Sequence, residues 1–284
     1  MKRLMVCSLV SIIALKIHAQ NDLEKLVLSL SDSIKANKGN ISTIYQMRAS
    51  AYLALGQYEN AISDANELIK TGEVGEWYYL KGAALVELEN YGEAINQLNY
   101  AIDLSPDSVI YYVYRGIALR ELGEFEDSKV NFMKALNMSG YEELIYVNLA
   151  ILYEKTDEQQ LAKSYWDKAI DQFPWSRNFH NRGLFFMEYE EYELAKNDFV
   201  MSIKLDASNT QSMIMLAYVY ALLGKYEDSE KQFLHGIKAG GANDPYLYFY
   251  RAKSRILSEQ LTKACQDYKK ARKLGLSELI IECE

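Results

Sequence analysis

Apolar and small residues recur along this chain at helical spacing, in stretches of about 14 residues. In one such region, Tyr78, Gly82 and Leu85 share one face of a first helix, and Ala94 and Leu98 share one face of a second. Spacings of three and four residues place each set on a single helical stripe. Neither helix can bury its stripe alone, so the pattern predicts antiparallel helix pairs that stack on one another.

A short phrase separates the two helices of each pair and recurs seven times. It is clearest at residues 55–61, 88–94 and 122–128, where it reads LGQYENA, LENYGEA and LGEFEDS. The small residues that close the seven phrases are Ala61, Ala94, Ser128, Ala162, Ala195, Ser229 and Ala264, separated by 33, 34, 34, 33, 34 and 35 positions. Such regularity indicates a repeat array rather than an ordinary globular core.

Small residues also mark one site on each first helix. They are Ala49, Gly82, Gly116, Ala150, Gly183, Ala217 and Ala252. A leucine at this site would hold the two helix axes apart, so the pattern predicts close packing within each pair. Gly56, Gly123 and Gly224 are expected to end first helices, because glycine readily adopts the left-handed conformation of a helix C-terminal cap.

This pattern resembles the tetratricopeptide repeat, a helix-turn-helix unit of 34 residues. The resemblance covers about residues 42–276 and implies an all-α, right-handed superhelical solenoid. We expect seven repeats within residues 41–276, at about 42–74, 75–108, 109–142, 143–175, 176–209, 210–244 and 245–276, preceded by an N-terminal capping helix at 20–40 and followed by a C-terminal segment at 277–284. The turns at 156–159 and 259–261 lack the glycine and the aromatic residue of the phrase, and we expect them to be looser.

The first 19 residues follow a different pattern. Lys2 and Arg3 precede an apolar run from Leu4 to Leu15, and the small residue Ala19 follows. This arrangement is typical of a secretory signal peptide cleaved after Ala19, which predicts a protein exported to a periplasm or to the outside of the cell. The run is shorter than the roughly 20 residues that span a bilayer, so no membrane insertion is expected after cleavage. An uncleaved anchor and a cytosolic amphipathic start are the alternatives.

The charge of the chain bears on its partners. Removal of residues 1–19 takes away Lys2, Arg3 and Lys16 but no acid, so the net charge of −8 becomes −11. A chain of this charge repels phosphate backbones, and the sequence holds no long basic stripe. We therefore expect no nucleic acid among its ligands, although the acid excess can simply keep a long array soluble.

Residues that could perform catalysis are scarce. After cleavage the histidines are His180 and His235, without a His-Glu-x-x-His or Cys-x-x-Cys motif, and no phosphate-binding loop or nucleophile elbow is present. We predict a protein that is not an enzyme, with no catalytic residue, metal or cofactor. Cys265 and Cys283 form an even pair in a predicted exported chain, which favours a disulfide, and two free buried thiols are the alternative.

The family resemblance also implies where a partner would bind. In such arrays the fifth and ninth positions of each first helix line a concave groove. Here these positions are Gln46 and Ser50, Tyr79 and Ala83, Val113 and Ile117, Val147 and Ile151, His180 and Leu184, Ile214 and Tyr218, and Phe249 and Lys253. The predicted protein-binding residues among them are Tyr79, Val113, Ile117, Val147, Ile151, His180, Leu184, Ile214, Tyr218 and Phe249.

An apolar strip of this length points to a binding surface. The leading hypothesis is a non-enzymatic scaffold that holds an apolar peptide or protein segment in the groove, with Tyr79, Tyr218 and Phe249 as anchors. Some members of the family hold a terminal carboxylate with Lys and Asn, but here only Lys253 and Asn148 or Asn181 lie near such positions. Three alternatives stay open: burial of the strip by neighbouring first helices, self-association into a homo-oligomer, and a structural role in a cell-envelope assembly through the convex face or the ends.

Overall fold

The computed structural model describes residues 16–36 and 39–276. Within these residues the chain forms fifteen α-helices and one short 3-10 helix, and no strand. The helices are α1 (Lys16–Lys35), α2 (Ile41–Ala54), α3 (Tyr58–Ile69), α4 (Gly75–Glu87), α5 (Tyr91–Leu104), α6 (Val109–Leu122), α7 (Phe125–Met138), α8 (Glu142–Lys155), α9 (Gln159–Gln172), α10 (Ser176–Glu188), α11 (Tyr192–Leu205), α12 (Thr210–Leu222), α13 (Tyr226–Lys238), the 3-10 helix η1 (Gly241–Asn243), α14 (Pro245–Leu257) and α15 (Leu261–Lys273). The expected all-α class is confirmed.

The chain divides into two compact units, with the division between Glu158 and Gln159. In unit 1, α2 packs on α3, α4 on α5 and α6 on α7, while α1 packs on α2. In unit 2 the pairs are α10 with α11, α12 with α13 and α14 with α15, and α9 contacts α10. The division separates the two helices of the fourth predicted pair, so that α8 lies in unit 1 and α9 lies in unit 2. The count of seven repeats therefore stays a prediction.

The predicted N-terminal capping helix corresponds to α1. It ends at Lys35, and Gly39 follows with a left-handed φ of 81°. Leu30 of α1 is buried. Residues 1–15 of the predicted signal peptide and the predicted C-terminal segment 277–284 lie outside the described residues, whereas Lys16–Ala19 belong to α1.

A single left-handed residue follows each of the seven predicted first helices. These residues are Gly56, Glu89, Gly123, Asp157, Glu190, Gly224 and Glu259, with φ between 58° and 87°. The three expected glycines are among them, and acidic residues take the other four places at a cost of about 1 kcal/mol each. The turns at Asp157 and Glu259, which we expected to be looser, adopt the same conformation as the others.

Glycine on a first helix leaves room for a large side chain of the second helix. A Cβ atom at Gly116 would lie 2.7 Å from the Phe132 ring, and one at Gly183 would lie 2.8 Å from the Phe199 ring. Both rings are fully buried. The close packing predicted from the small residues is therefore present in both units, with the aromatic ring filling the space that glycine leaves.

Four arginines join the two helices of a pair through a partner 16 residues later, and we call these contacts arginine clamps. The partners are Asp64 for Arg48, Asn131 for Arg115, Asp198 for Arg182 and Asp267 for Arg251. Three of the arginines also donate to the helix that precedes their pair: Arg48 to Ser31, Arg115 to Asn99 and Arg182 to Asp167. Each of these three guanidinium groups thus connects three helices within one unit.

Candidate functional site

The predicted groove positions lie on the first helices, and we call this surface the first-helix face of each unit. In unit 1, Tyr79 of α4 stacks on Tyr111 of α6 with ring centroids 5.1 Å apart, and its edge meets Tyr114 at 5.4 Å. Tyr79 is only 9% exposed. Burial and the nearby Glu76 raise the pKa of Tyr79, and the same two causes raise the pKa of Tyr111 to about 12. This predicted anchor is enclosed by its neighbours.

Most of the other predicted site residues in unit 1 are also buried. Val113 on α6 is 0% exposed. Ile117 on α6 and Val147 on α8 are also buried. Ile151 keeps a partly exposed side chain. These four predicted positions of unit 1 therefore offer little apolar surface to a partner.

The first-helix face of unit 2 is more open. Leu184, Tyr218 and Phe249 are partly exposed, whereas Ile214 is buried. The Tyr218 ring lies 5.2 Å from the Tyr250 ring, and Phe249 lies 5.2 Å from Tyr250. We call Tyr218, Phe249 and Tyr250 the aromatic cluster. It joins α12 to α14 and leaves ring surface accessible to solvent.

Lys253 adds a positive charge to the aromatic cluster. Its Nζ atom lies 5.3 Å from the ring centroid of Tyr218, 5.4 Å from that of Phe249 and 5.8 Å from that of Tyr250. The half-buried position lowers the pKa of Lys253, and burial raises the pKa of Tyr218. The ammonium lies against the ring faces, and such a contact is a favourable but modest interaction.

His180, another predicted groove residue, takes part in a polar network and is partly exposed. Its Nδ1 lies 2.8 Å from the Ser212 hydroxyl, which lies 2.7 Å from the Ser202 hydroxyl, which in turn lies 2.9 Å from that of Ser176. Burial lowers the pKa of His180 to about 4. The imidazole is therefore neutral at physiological pH, and it connects α10 to α12.

The pair of His180 and Ser212 does not form a catalytic site. A nucleophilic serine needs a base within hydrogen-bonding distance and also access to a substrate. Ser212 and Ser202 are both 0% exposed, so no substrate can reach either hydroxyl. Among the described residues, no cluster of His, Cys, Asp and Glu could hold a metal ion. Nor is any helix in the described ranges both long and apolar enough to cross a bilayer.

One further cavity lies at the start of unit 1, between α1 and α2. Its volume is about 410 Å³, and Leu23, Leu26, Met47, Gln46 and Ser50 are among its lining residues. Gln46 and Ser50 are the predicted groove positions of the first repeat. At the other end of the chain Cys265 is disulfide-bonded, while its predicted partner Cys283 lies outside the described residues, so the pairing itself stays a prediction.

Sequence reasoning missed the residues that close or complete each face. Tyr111 and Tyr114 of α6 enclose Tyr79, and Tyr250 of α14 completes the aromatic cluster. Tyr114 and Tyr250 each directly follow a predicted groove position, Val113 and Phe249. A search for aromatic residues next to groove positions would have found these two.

Comparison with known proteins agrees with this architecture of paired helices. A family model described as tetratricopeptide repeat matches residues 47–95 and 79–128. The chain is similar to a TPR repeat-containing protein of Methanocaldococcus jannaschii, at 22% identity over 197 residues that cover 64% of this chain and 34% of the relative. The curated tetratricopeptide repeat protein 16 of Homo sapiens is matched over 22% of its length. The chain thus spans 34% and 22% of the length of these two relatives.

Solved structures show the same fold. Yeast Tom70 superposes with a TM-score of 0.70 at 13% identity, covering 91% of this chain and 56% of that one. A tetratricopeptide repeat protein from Parabacteroides merdae superposes with a TM-score of 0.62 at 16% identity, covering 84% of this chain and 95% of that one.

The fold defines an all-α solenoid of helix pairs, and the expected class is confirmed. The matched segments and the relatives support a tetratricopeptide repeat protein. Proteins of this kind generally act in protein–protein interaction and bind protein or peptide partners, typically as scaffolds without enzymatic activity.

Proposed function

We propose that the protein is a non-enzymatic interaction scaffold that binds an apolar peptide or protein segment on the first-helix face of unit 2. The observation that carries this proposal is the partial exposure of Tyr218 and Phe249 at predicted groove positions. Their counterparts Tyr79 and Val113 in unit 1 are buried. Binding is therefore expected on the first-helix face of unit 2 alone. The sequence suggested a longer binding surface, a strip along all the first helices.

The aromatic cluster suits this role because its rings are already held in place. Tyr218 packs against Tyr250, and Phe249 also lies 6.0 Å from the ring of Tyr268 on α15. Aromatic side chains supply a large contact area with few rotatable bonds, so little conformational entropy is lost when a partner binds. The partly exposed Leu184 extends the apolar surface on α10.

The test is a selection of displayed random linear peptides on the protein and on two variants. The first variant combines Tyr218→Asp with Phe249→Asp, and the control variant is Val130→Asp, a residue of α7 that is 64% exposed. We expect the protein and the control to enrich apolar peptides, and the double variant to enrich none while it keeps its circular dichroism spectrum. Equal enrichment by the double variant would overturn the proposal.

A second candidate function is a structural subunit of an assembly that uses the outer face of the second helices. The exposed side chains of Val130 on α7 and Leu234 on α13 favour it. The same selection separates the two candidates, because Val130→Asp would then abolish enrichment and the Tyr218 and Phe249 changes would not. Self-association through Val130 would also appear as a smaller molar mass of the Val130→Asp variant in light scattering.

Export is the proposed setting for this scaffold, on the strength of the signal-like pattern in residues 1–19. N-terminal sequencing of the protein made in a secreting bacterial host tests this. We expect the mature chain to begin at Gln20, and a chain that still begins at Met1 in the cytosol would contradict export.

A further inference from the structure

Helix α14 carries three cations within five residues, and two of them have carboxylate partners. Arg251 donates two hydrogen bonds to Asp267, at 2.8 and 2.5 Å. Arg255 donates to Glu230 at 2.7 and 3.0 Å and to Asp267 at 2.7 Å. Both guanidinium groups are largely buried, and their pairing offsets the loss of water.

Lys253 lies between these arginines and has no such partner among the residues that the structure describes. It is half-buried, and within the described residues no carboxylate lies at ion-pair distance from its Nζ and Nζ donates no hydrogen bond. The three ring faces of the aromatic cluster are its neighbours. Contact with ring faces replaces only part of the hydration that a half-buried ammonium loses, so a negatively charged group would complete the site.

Two hydroxyl groups at the same place are also unused. The phenol groups of Tyr218 and Tyr250 form no hydrogen bond in the described part of the chain, although both rings lie within 6 Å of the Lys253 ammonium. A phenol donates a strong hydrogen bond to an ionised carboxylate. One ammonium therefore lies close to two tyrosine rings whose phenol groups have no hydrogen-bond partner among the described residues.

We propose that Lys253, with the hydroxyl groups of Tyr218 and Tyr250, receives one carboxylate of an Asp or Glu side chain within the segment bound on unit 2. This inference rests on the proposed function and specifies its partner as an apolar segment with one acidic side chain. A single cation suits a singly charged group better than a phosphate. Since no asparagine takes part in the cluster, an internal side chain is the proposed source of the carboxylate, rather than a chain terminus.

The test uses the same displayed peptides, with fixed flanking residues that remove a free C-terminus, on three forms of the full chain. These are the unchanged protein, Lys253→Gln, and the matched control Lys270→Gln. Lys270 also lies over a tyrosine ring, that of Tyr248 at 4.1 Å, but on the exposed side of α15. We expect the unchanged protein and the control to enrich peptides with an acidic residue at one fixed position, and Lys253→Gln to enrich apolar peptides without it.

Affinities of one enriched peptide complete the test. We expect Lys253→Gln to weaken binding about tenfold, the Glu→Gln form of the peptide to weaken it equally, and the two changes together to do no more than either alone. A C-terminal amide should leave affinity unchanged, whereas dependence on a free C-terminus would overturn the side-chain assignment.

Different results contradict the carboxylate site at Lys253 and the scaffold function of unit 2. Enrichment of apolar peptides without an acidic position, or an acidic preference that survives Lys253→Gln, overturns the inference and leaves the scaffold function standing. Absence of enrichment by every form contradicts both. Lys253→Gln is expected to fold normally, with an unfolding midpoint equal to or above that of the unchanged protein, because the change removes a half-buried charge without a carboxylate partner in the described ranges.

Discussion

The first-helix faces of the two units are built on the same scaffold but differ in exposure. Both units place a phenylalanine ring in the space left by a glycine, and both contain arginine clamps. On the face of unit 1, the Tyr79 ring is enclosed by Tyr111 and Tyr114, whereas Tyr218 in unit 2 retains exposed ring surface. The repeat register thus decides where a groove position lies, and the side chain on the next first helix decides whether it is accessible.

The largest effect should separate the two faces directly. Val113→Asp places a charge at a position that is 0% exposed, and we expect it to lower the free energy of unfolding by about 4 kcal/mol or more. Tyr218→Asp should cost only about 1 kcal/mol, because the new carboxylate can reach water. Urea unfolding followed by circular dichroism measures both. Equal costs would mean that the two faces are not different in exposure.

The arginine clamps should instead be alike in the two units. Arg48→Met and Arg182→Met each leave a buried aspartate, Asp64 or Asp198, without its cation. We expect each change to lower the free energy of unfolding by about 3 kcal/mol. The control is Lys35→Met, which breaks an exposed pair with Asp32 and should cost less than about 0.5 kcal/mol. If only one of the two arginine changes lowered the free energy of unfolding, the scaffolds of the two units would differ.

The partly exposed imidazole of His180 in unit 2 should make stability depend on pH. The pKa of His180 is lowered to about 4 in the fold from an ordinary 6.5, so the unfolded chain takes up the proton first as pH falls. Stability should therefore drop between pH 6.5 and 4, by about 2 kcal/mol after a discount for partial exposure. Urea titrations at each pH should show this drop reduced in His180→Gln and unchanged in His235→Gln. An identical drop in both variants would place its origin elsewhere.

The smallest expected effects concern the glycines that bring paired helices together. Gly116→Ala and Gly183→Ala press a methyl group against Phe132 and Phe199, and each should cost about 1 kcal/mol. Gly92 is a helical glycine with open space around it, and Gly92→Ala should stabilise the protein by roughly 0.5–1 kcal/mol. Thermal unfolding would resolve the difference in sign. A stabilising effect of all three changes would show that the helices can separate without cost.

The sequence allowed prediction of the scaffold because the scaffold depends on local spacing. The phrase that ends at Ala94 places a turn and a small residue in register, and these act within one helix pair. Accessibility at groove positions depends on distant residues, since Tyr79 is enclosed by Tyr111, 32 positions away. Likewise, nothing in the local pattern around His180 indicates that the Ser212 hydroxyl meets it.

The charge of Lys253 illustrates the same limit. Its sequence neighbours Arg251 and Arg255 look equivalent, and only the packing of α13 and α15 shows which cations have acidic partners. The acidic residues in left-handed turns, such as Glu89 and Asp157, were not predicted either, because propensity favours glycine or asparagine there. The surrounding pair holds the turn closed despite this local preference.

The arginine clamps alternate along the chain, so that repeats with a clamp arginine are separated by repeats without one. Arg48, Arg115, Arg182 and Arg251 fall in every second predicted repeat, and Lys81, Leu149 and Leu216 occupy the equivalent places between them. Gain or loss of a single repeat would therefore place clamps in two successive repeats, or leave two successive repeats without a clamp. Duplication or deletion of two repeats preserves the alternation. Length variants of this array should thus differ by even numbers of repeats, so that its unit of growth is about 67 residues rather than 34.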